Sequence, residues 1–115
     1  MEKNVEISML LQIYGKLLTK KQYEFLDNYY NSDLSLSEIG ENLNITRQAV
    51  RDNLKKGENK LFEFEEKLGI MKKMLQQEEK IAIILSELTK IKSQYSDKQV
   101  AKVLEHIKHE LNCLV

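Results

Sequence analysis

LSEIGENLNITRQAVRDNLKK, Leu36–Lys56, is the stretch on which the reading of the whole chain turns. Ile39 and Leu43 stand four apart, as the inner face of one short helix requires, and Val50 and Leu54 repeat the spacing on a second. Between the pairs, Asn44 occupies the place where a tight turn calls for left-handed backbone, which asparagine tolerates better than most residues with a side chain. Gly40 keeps the first helix small where the second crosses it, and Thr46 supplies a hydroxyl cap for the second. A short helix, a tight turn and a second helix with a polar outer side make a helix-turn-helix.

Working outward, capping chemistry marks further helix starts. Thr19-x-x-Gln22, Ser35-x-x-Glu38 and Ser96-x-x-Gln99 all fit the capping box, in which hydroxyl and amide or carboxylate satisfy each other's orphan backbone groups. Leu18 with Tyr23, Leu34 with Ile39 and Ile45 with Val50 are spaced as hydrophobic staples. A first helix is predicted over about 5–17, with Ile7, Leu10, Leu11, Tyr14 and Leu17 inward. A second is predicted over about 20–31, with Tyr23, Leu26 and Tyr30 inward. Tyr29-Tyr30 reads as packing in preference to a base-stacking platform.

The chain has 115 residues, no proline and four glycines, which suits one all-α domain. A single cysteine, Cys113, has no internal disulfide partner, the first residues lack the pattern of a signal peptide, and the longest apolar run, Ile81–Leu85, is too short to cross a bilayer. A cytoplasmic chain without membrane insertion is the expectation. Glycine-rich phosphate loops, nucleophile motifs and paired catalytic acids are missing from the sequence, so no enzyme and no cofactor are expected. His106, His109 and Cys113 share a helix side at metal-ligand spacing but lack a fourth ligand, and no metal is assigned. Glu63, Glu65 and Glu66 read as a solvated face, with Lys67, Lys72 and Lys73 as the alternative of pairing to it.

The outer side of the second helix carries the candidate chemistry. Thr46, Arg47, Gln48, Arg51, Asp52, Lys55 and Lys56 are the candidate DNA-binding residues. Arginine can contact guanine and glutamine adenine in the major groove, while lysines and the free amides at Thr46 can hold phosphate. Asp52 has three readings: an acceptor for a cytosine amino group, a partner for a basic neighbour such as Lys56, or the mark of a protein-binding face. The chain balances 18 basic against 18 acidic residues, and Thr46–Lys60 holds five basic and two acidic, a local excess of only three. Any phosphate grip must therefore be local and modest.

The runs LTKKQ (18–22), LDNYY (26–30) and DLSLSEIGENLNITRQAVRDNLKK (33–56), with TRQAVRDNLK (46–55) the most specific, resemble the YlxM-like family of small bacterial proteins. That family is in turn similar to the promoter-reading helix-turn-helix of sigma factor region four. The first resemblance spans essentially the whole chain, the second about 18–68. They imply a sigma-like or winged-helix-like DNA-binding domain of regulatory role, with readers at Arg47, Gln48, Arg51 and Asp52. Gene neighbourhood in the family implies a link to the signal recognition particle, so its GTPase or RNA stands as the alternative partner. Gly40 in place of the commoner alanine and Asn44 in place of glycine keep the fold; Asn53 fits if Leu54 takes the core position.

Beyond the motif, a straight helix from Thr46 would place Val50, Leu54, Leu61, Phe64 and Leu68 on one stripe, and Met74, Ile81, Leu85 and Leu88 roughly opposite. Two stripes imply a break at Gly69, with one continuous bent helix the alternative. Helices are predicted to end near 68, to run over about 70–92 and to resume over 97–114 after a turn at Ser93–Ser96. The expected fold is thus all-α: a sigma region four-like helix-turn-helix part, about 1–68, followed by a C-terminal helical hairpin, about 70–115. In that hairpin Ile81, Leu85 and Leu88 face Val100, Leu104, Ile107 and Leu111. Met71, Met74, Ile83, Ile84 and Ile91 exceed what one helix can cover, which suggests a homodimer unless the N-terminal helices cover them.

Overall fold

A computed structural model describes residues 1–94 and 97–114. The described residues form six α-helices and no strand: α1 (Lys3–Tyr14), α2 (Lys20–Leu26), α3 (Leu36–Leu43), α4 (Arg47–Leu68), α5 (Ile70–Gln94) and α6 (Lys98–Asn112). They divide into two compact units, Met1–Met71 and Lys72–Val115.

In the first unit α1, α2 and α3 all pack on α4. Ile7, Leu10, Leu11 and Tyr14 of α1, spaced three and four apart, are buried, and so are Ile39 of α3 and Val50, Leu54 and Leu61 of α4. α4 also brings Gly57 against α2, where a β-carbon would stand 2.9 Å from Leu26 Cδ1. Both reciprocal capping boxes form. Thr19 Oγ1 accepts from Gln22 N at 3.1 Å while Gln22 Oε1 accepts from Thr19 N at 3.2 Å, and Ser35 and Glu38 repeat the exchange at 3.1 Å each way.

Several inward positions differ from expectation. α1 ends at Tyr14 and tightens into a 3₁₀ turn, Gly15–Leu17. The turn advances each residue by more than an α-helical step, so Leu17 swings out to 59% exposure and Leu18 takes the buried place. α2 stops at Leu26 and widens into a π-turn, Asp27–Asn31, where Ser32 N donates to Asp27 O. Phe25 and Leu26 are its core residues. Tyr23 is exposed along the side of Gly15, and Tyr30 is half-buried. Leu43 and Leu68, the last residues of α3 and α4, also lie outward.

Glu65, expected on a solvated face, is half-buried instead. Tyr14, 1% exposed, donates from its hydroxyl to Glu65 Oε1 at 2.6 Å and accepts from Ile70 N at 3.2 Å, while Glu65 Oε1 accepts from Met71 N at 2.9 Å. Gly69 is left-handed at φ 61°, so α4 breaks there, and the tyrosine and glutamate satisfy the first free amides of α5. Tyr30 mirrors the bond from the π-turn, donating to Glu58 Oε1 at 2.5 Å. Two tyrosine–glutamate bonds therefore fix α4 against α1 and against the π-turn.

Burial first, and then the hydrogen bond to Glu65, raises the Tyr14 phenol above its ordinary 10.0; burial and Glu58 act likewise on Tyr30. A raised folded value means the neutral phenol is the form that folds. Its contribution is complete below about pH 10 and is lost as pH climbs through the raised value. Tyr14→Phe is expected to cost about 1–3 kcal/mol near neutral pH, since it removes a hydroxyl shared by a carboxylate and a helix-start amide. In urea titrations between pH 9 and pH 11 the wild type should lose stability faster than the phenylalanine variant. Equal slopes would show that the phenol does not titrate with folding.

In the second unit, Ile81 and Leu104 are buried and Leu85, Leu88, Ala101 and Leu111 half-buried, while Lys92 pairs with Glu105 across α5 and α6. The ion pair holds the Glu105 carboxyl below the usual carboxylate range. Val100 and Ile107, expected inward, are partly exposed. Met74, Ile83, Ile84 and Ile91 are exposed; Met71, grouped with them in the sequence reading, is buried in the first unit. Ser93 is still helical, and α6 starts on Asp97, whose carboxylate accepts from Gln99 N at 2.8 Å. The expected cap at Ser96, and with it part of the Ser93–Ser96 turn, falls outside the described residues.

Candidate nucleic-acid interface

The turn between α3 and α4 is built from backbone. Asn44 adopts φ 56°, ψ 45°, Ile45 N donates to Gly40 O at 2.9 Å, and Thr46 Oγ1 accepts from Ala49 N at 3.0 Å. A left-handed residue closing one helix and a hydroxyl opening the next fix their crossing. Gly40 sits beneath the turn, where a β-carbon would come within 2.8 Å of Ile45 O. Its close neighbour is thus the turn itself, one step before the crossing helix. Asn53 returns its side-chain amide to Ala49 O at 2.8 Å and leaves the core position to Leu54, as the sequence allowed.

Thr46, Arg47, Gln48, Arg51, Asp52, Lys55 and Lys56 are all exposed. At about 100° per residue the six that lie within α4 form two rows: Gln48–Asp52–Lys56 lies opposite Val50 and Leu54, and Arg47–Arg51–Lys55 runs along the edge of the buried stripe. Among the described residues neither Arg47, Arg51 nor Lys55 is held in an ion pair. The second row is tied internally, Gln48 Nε2 donating to Asp52 Oδ1 at 3.0 Å. Asp52 therefore takes Gln48, one turn back, as its partner in place of Lys56. This bond leaves Gln48 Oε1 and one amide hydrogen for a ligand and engages one Asp52 carboxylate oxygen.

Residues distant in sequence flank the first row. Lys3, Asn4, Tyr29 and Tyr30 line a cleft of about 430 Å³ together with Arg51 and Lys55. Tyr29 and Tyr30 meet edge to face, centroids 5.0 Å apart at 83°. The sequence offered no signal for this meeting, because α1 and the π-turn reach α4 only through the tertiary fold. Elsewhere, Cys113 Sγ lies 3.8 Å from His109 Nε2, and among the described residues no group of three or more His, Cys, Asp or Glu is placed to hold a metal. No helix among them is long and apolar enough to cross a membrane.

Comparison with known proteins places this geometry in a family. Residues 1–108 match the family profile described as "Putative helix-turn-helix protein, YlxM / p13 like". The chain belongs to that family. It is 44% identical over its whole length to a UPF0122 protein of Acetivibrio thermocellus, covering 98% of that relative. It is 46% identical over 109 residues, 95% of each chain, to one of Clostridium kluyveri. To one of Listeria welshimeri it is 40% identical over 108 residues, 94% of this chain and 96% of the relative. The YlxM-like membership and the α3–turn–α4 geometry agree on a helix-turn-helix, a motif consistent with DNA binding.

Proposed function

We propose that the α3–α4 motif binds duplex DNA through the major groove and that the protein acts as a non-enzymatic regulator. The observation that carries this reading is the row Arg47–Arg51–Lys55 at the capped start of α4, exposed and, among the described residues, not held in ion pairs. Arg47, Gln48 and Arg51 read base edges; Thr46, Lys55 and Lys56 hold phosphate. Asp52 orients Gln48. The second unit offers exposed Ile83, Ile84 and Val103 to a second copy, which would present two recognition helices to paired half-sites.

The alternative, docking on a signal recognition particle GTPase or its RNA, draws support from the balanced charge and from the internally satisfied Gln48–Asp52 pair. Salt dependence separates the two. Duplex binding should weaken steeply between 50 and 200 mM salt, with a log–log slope of roughly −3 to −6 for a few phosphate contacts per subunit. A slope near −1 for the duplex, beside a saturable complex with the targeting components, would favour the alternative.

A further inference from the structure

The cleft beside the Arg47–Arg51–Lys55 row has the parts of a different nucleic-acid site. A second hollow of about 390 Å³ shares Asn4, Tyr29 and Tyr30 with it and is also lined by Ser35. Each hollow falls in the size range of small-ligand sites. Tyr30 is fixed by Glu58, and Tyr29 is set against Tyr30 by their edge-to-face contact, so the aromatic wall is preorganised. Arg51 and Lys55 supply positive charge at one end. The carboxylate that lines the same cleft, Glu58, accepts from Tyr30 and lies 3.8 Å from Lys3 Nζ, which offsets its repulsion of an anion. The other carboxylate, Asp33, lines only the second hollow.

We propose that this groove binds one unpaired nucleotide, its base against Tyr29 and its phosphate at Arg51 and Lys55. Stacking on an aromatic wall beside a cationic edge is the usual chemistry of single-strand binding, and it tolerates any base. A base inside an intact duplex is stacked on its neighbours and does not reach such a wall, so the ligand is a single strand. The proposal goes beyond duplex recognition and shares Arg51 and Lys55 with it. Asn4, exposed at the start of α1, lines both hollows, and the proposal assigns it to the edge of the base.

The test is fluorescence anisotropy on the full chain with three labelled probes: a ten-nucleotide oligo-dT, a ten-nucleotide oligo-rU and a mixed-sequence duplex of about 20 base pairs. Tyr29→Leu should weaken both single strands by about tenfold, the scale of one lost stack, and leave the duplex within about twofold. Tyr29→Phe should retain wild-type binding. Asn4→Asp, a surface change that leaves the core alone, should weaken single strands severalfold and serves where Tyr29→Leu does not fold. Tighter binding of oligo-rU would assign RNA as the source of the nucleotide, and equal binding would assign base and phosphate alone. Failure of the wild type to bind either single strand, or equal losses on single strands and duplex in a folded variant, would overturn the proposal. Arg47→Ala, away from the groove, tests the duplex reading separately.

Discussion

Replacing Gly40 with valine is expected to destabilise the first unit by roughly 3 kcal/mol or more, the upper end of what overpacking costs, and to abolish duplex binding with it. The β-carbon alone would stand 2.8 Å from Ile45 O, a backbone atom that cannot rotate away. The carbonyl can yield only if the turn moves. That turn carries the left-handed Asn44, the Ile45 N–Gly40 O bond and the Thr46 cap, so the start of α4 must move too. Valine adds two methyl groups and a restricted χ1 to the same clash. Alanine is the informative control, because helix propensity favours it over glycine by about 1 kcal/mol. If urea unfolding shows Gly40→Ala to be more stable than wild type, the contact relaxes cheaply and the account of the turn is wrong. A loss for alanine and a larger one for valine would confirm that the turn is packed to its limit.

What could be read in advance was local chemistry. Thr19, Ser35 and Thr46 cap their helices as their neighbours three residues on require, and Asn44 is left-handed because a tight turn places it there. Val50 and Leu54 are buried because their spacing admits one inner face. The misses share a different cause. An α-helical period carried on from α1 points Leu17 inward, but the 3₁₀ turn changes the period there, and in α2 Phe25 and Leu26 take the inner face and leave Tyr23 outside it. Glu65 was read from the charges beside it in sequence, whereas its partner Tyr14 lies 51 residues away. Asp52 had a basic neighbour at Lys56 and an amide at Gln48, and the helix brought both within one turn; composition alone did not rank them. The exposure of Arg47, Gln48, Arg51, Asp52, Lys55 and Lys56 along one face of α4, with Thr46 as its cap, was recoverable. Lys3, Asn4 and Tyr29, which extend that face into a cleft, were not, because only packing of α1 and the π-turn brings them there.

The double substitution Arg47→Ala with Arg51→Ala should lower specific duplex affinity by about 10²-fold or more. A bidentate arginine contributes on the order of 1–3 kcal/mol of base discrimination, and two are removed from one helix edge. Both side chains are exposed, and neither is held in an ion pair among the described residues, so thermal stability should stay within about 0.5 kcal/mol of wild type. Their loss leaves Lys55 and Lys56 for phosphate, and the residual binding should be sequence-independent.

The most direct test of the central claim is selection of a randomised duplex library on the immobilised full chain, with the double variant run in parallel. The account predicts enrichment of one short motif by the wild type, arranged as an inverted repeat if two copies bind together, and no enrichment by the variant. A wild type that enriches no sequence, or a variant that enriches the same motif equally well, would contradict the assignment of α4 as a DNA-reading helix.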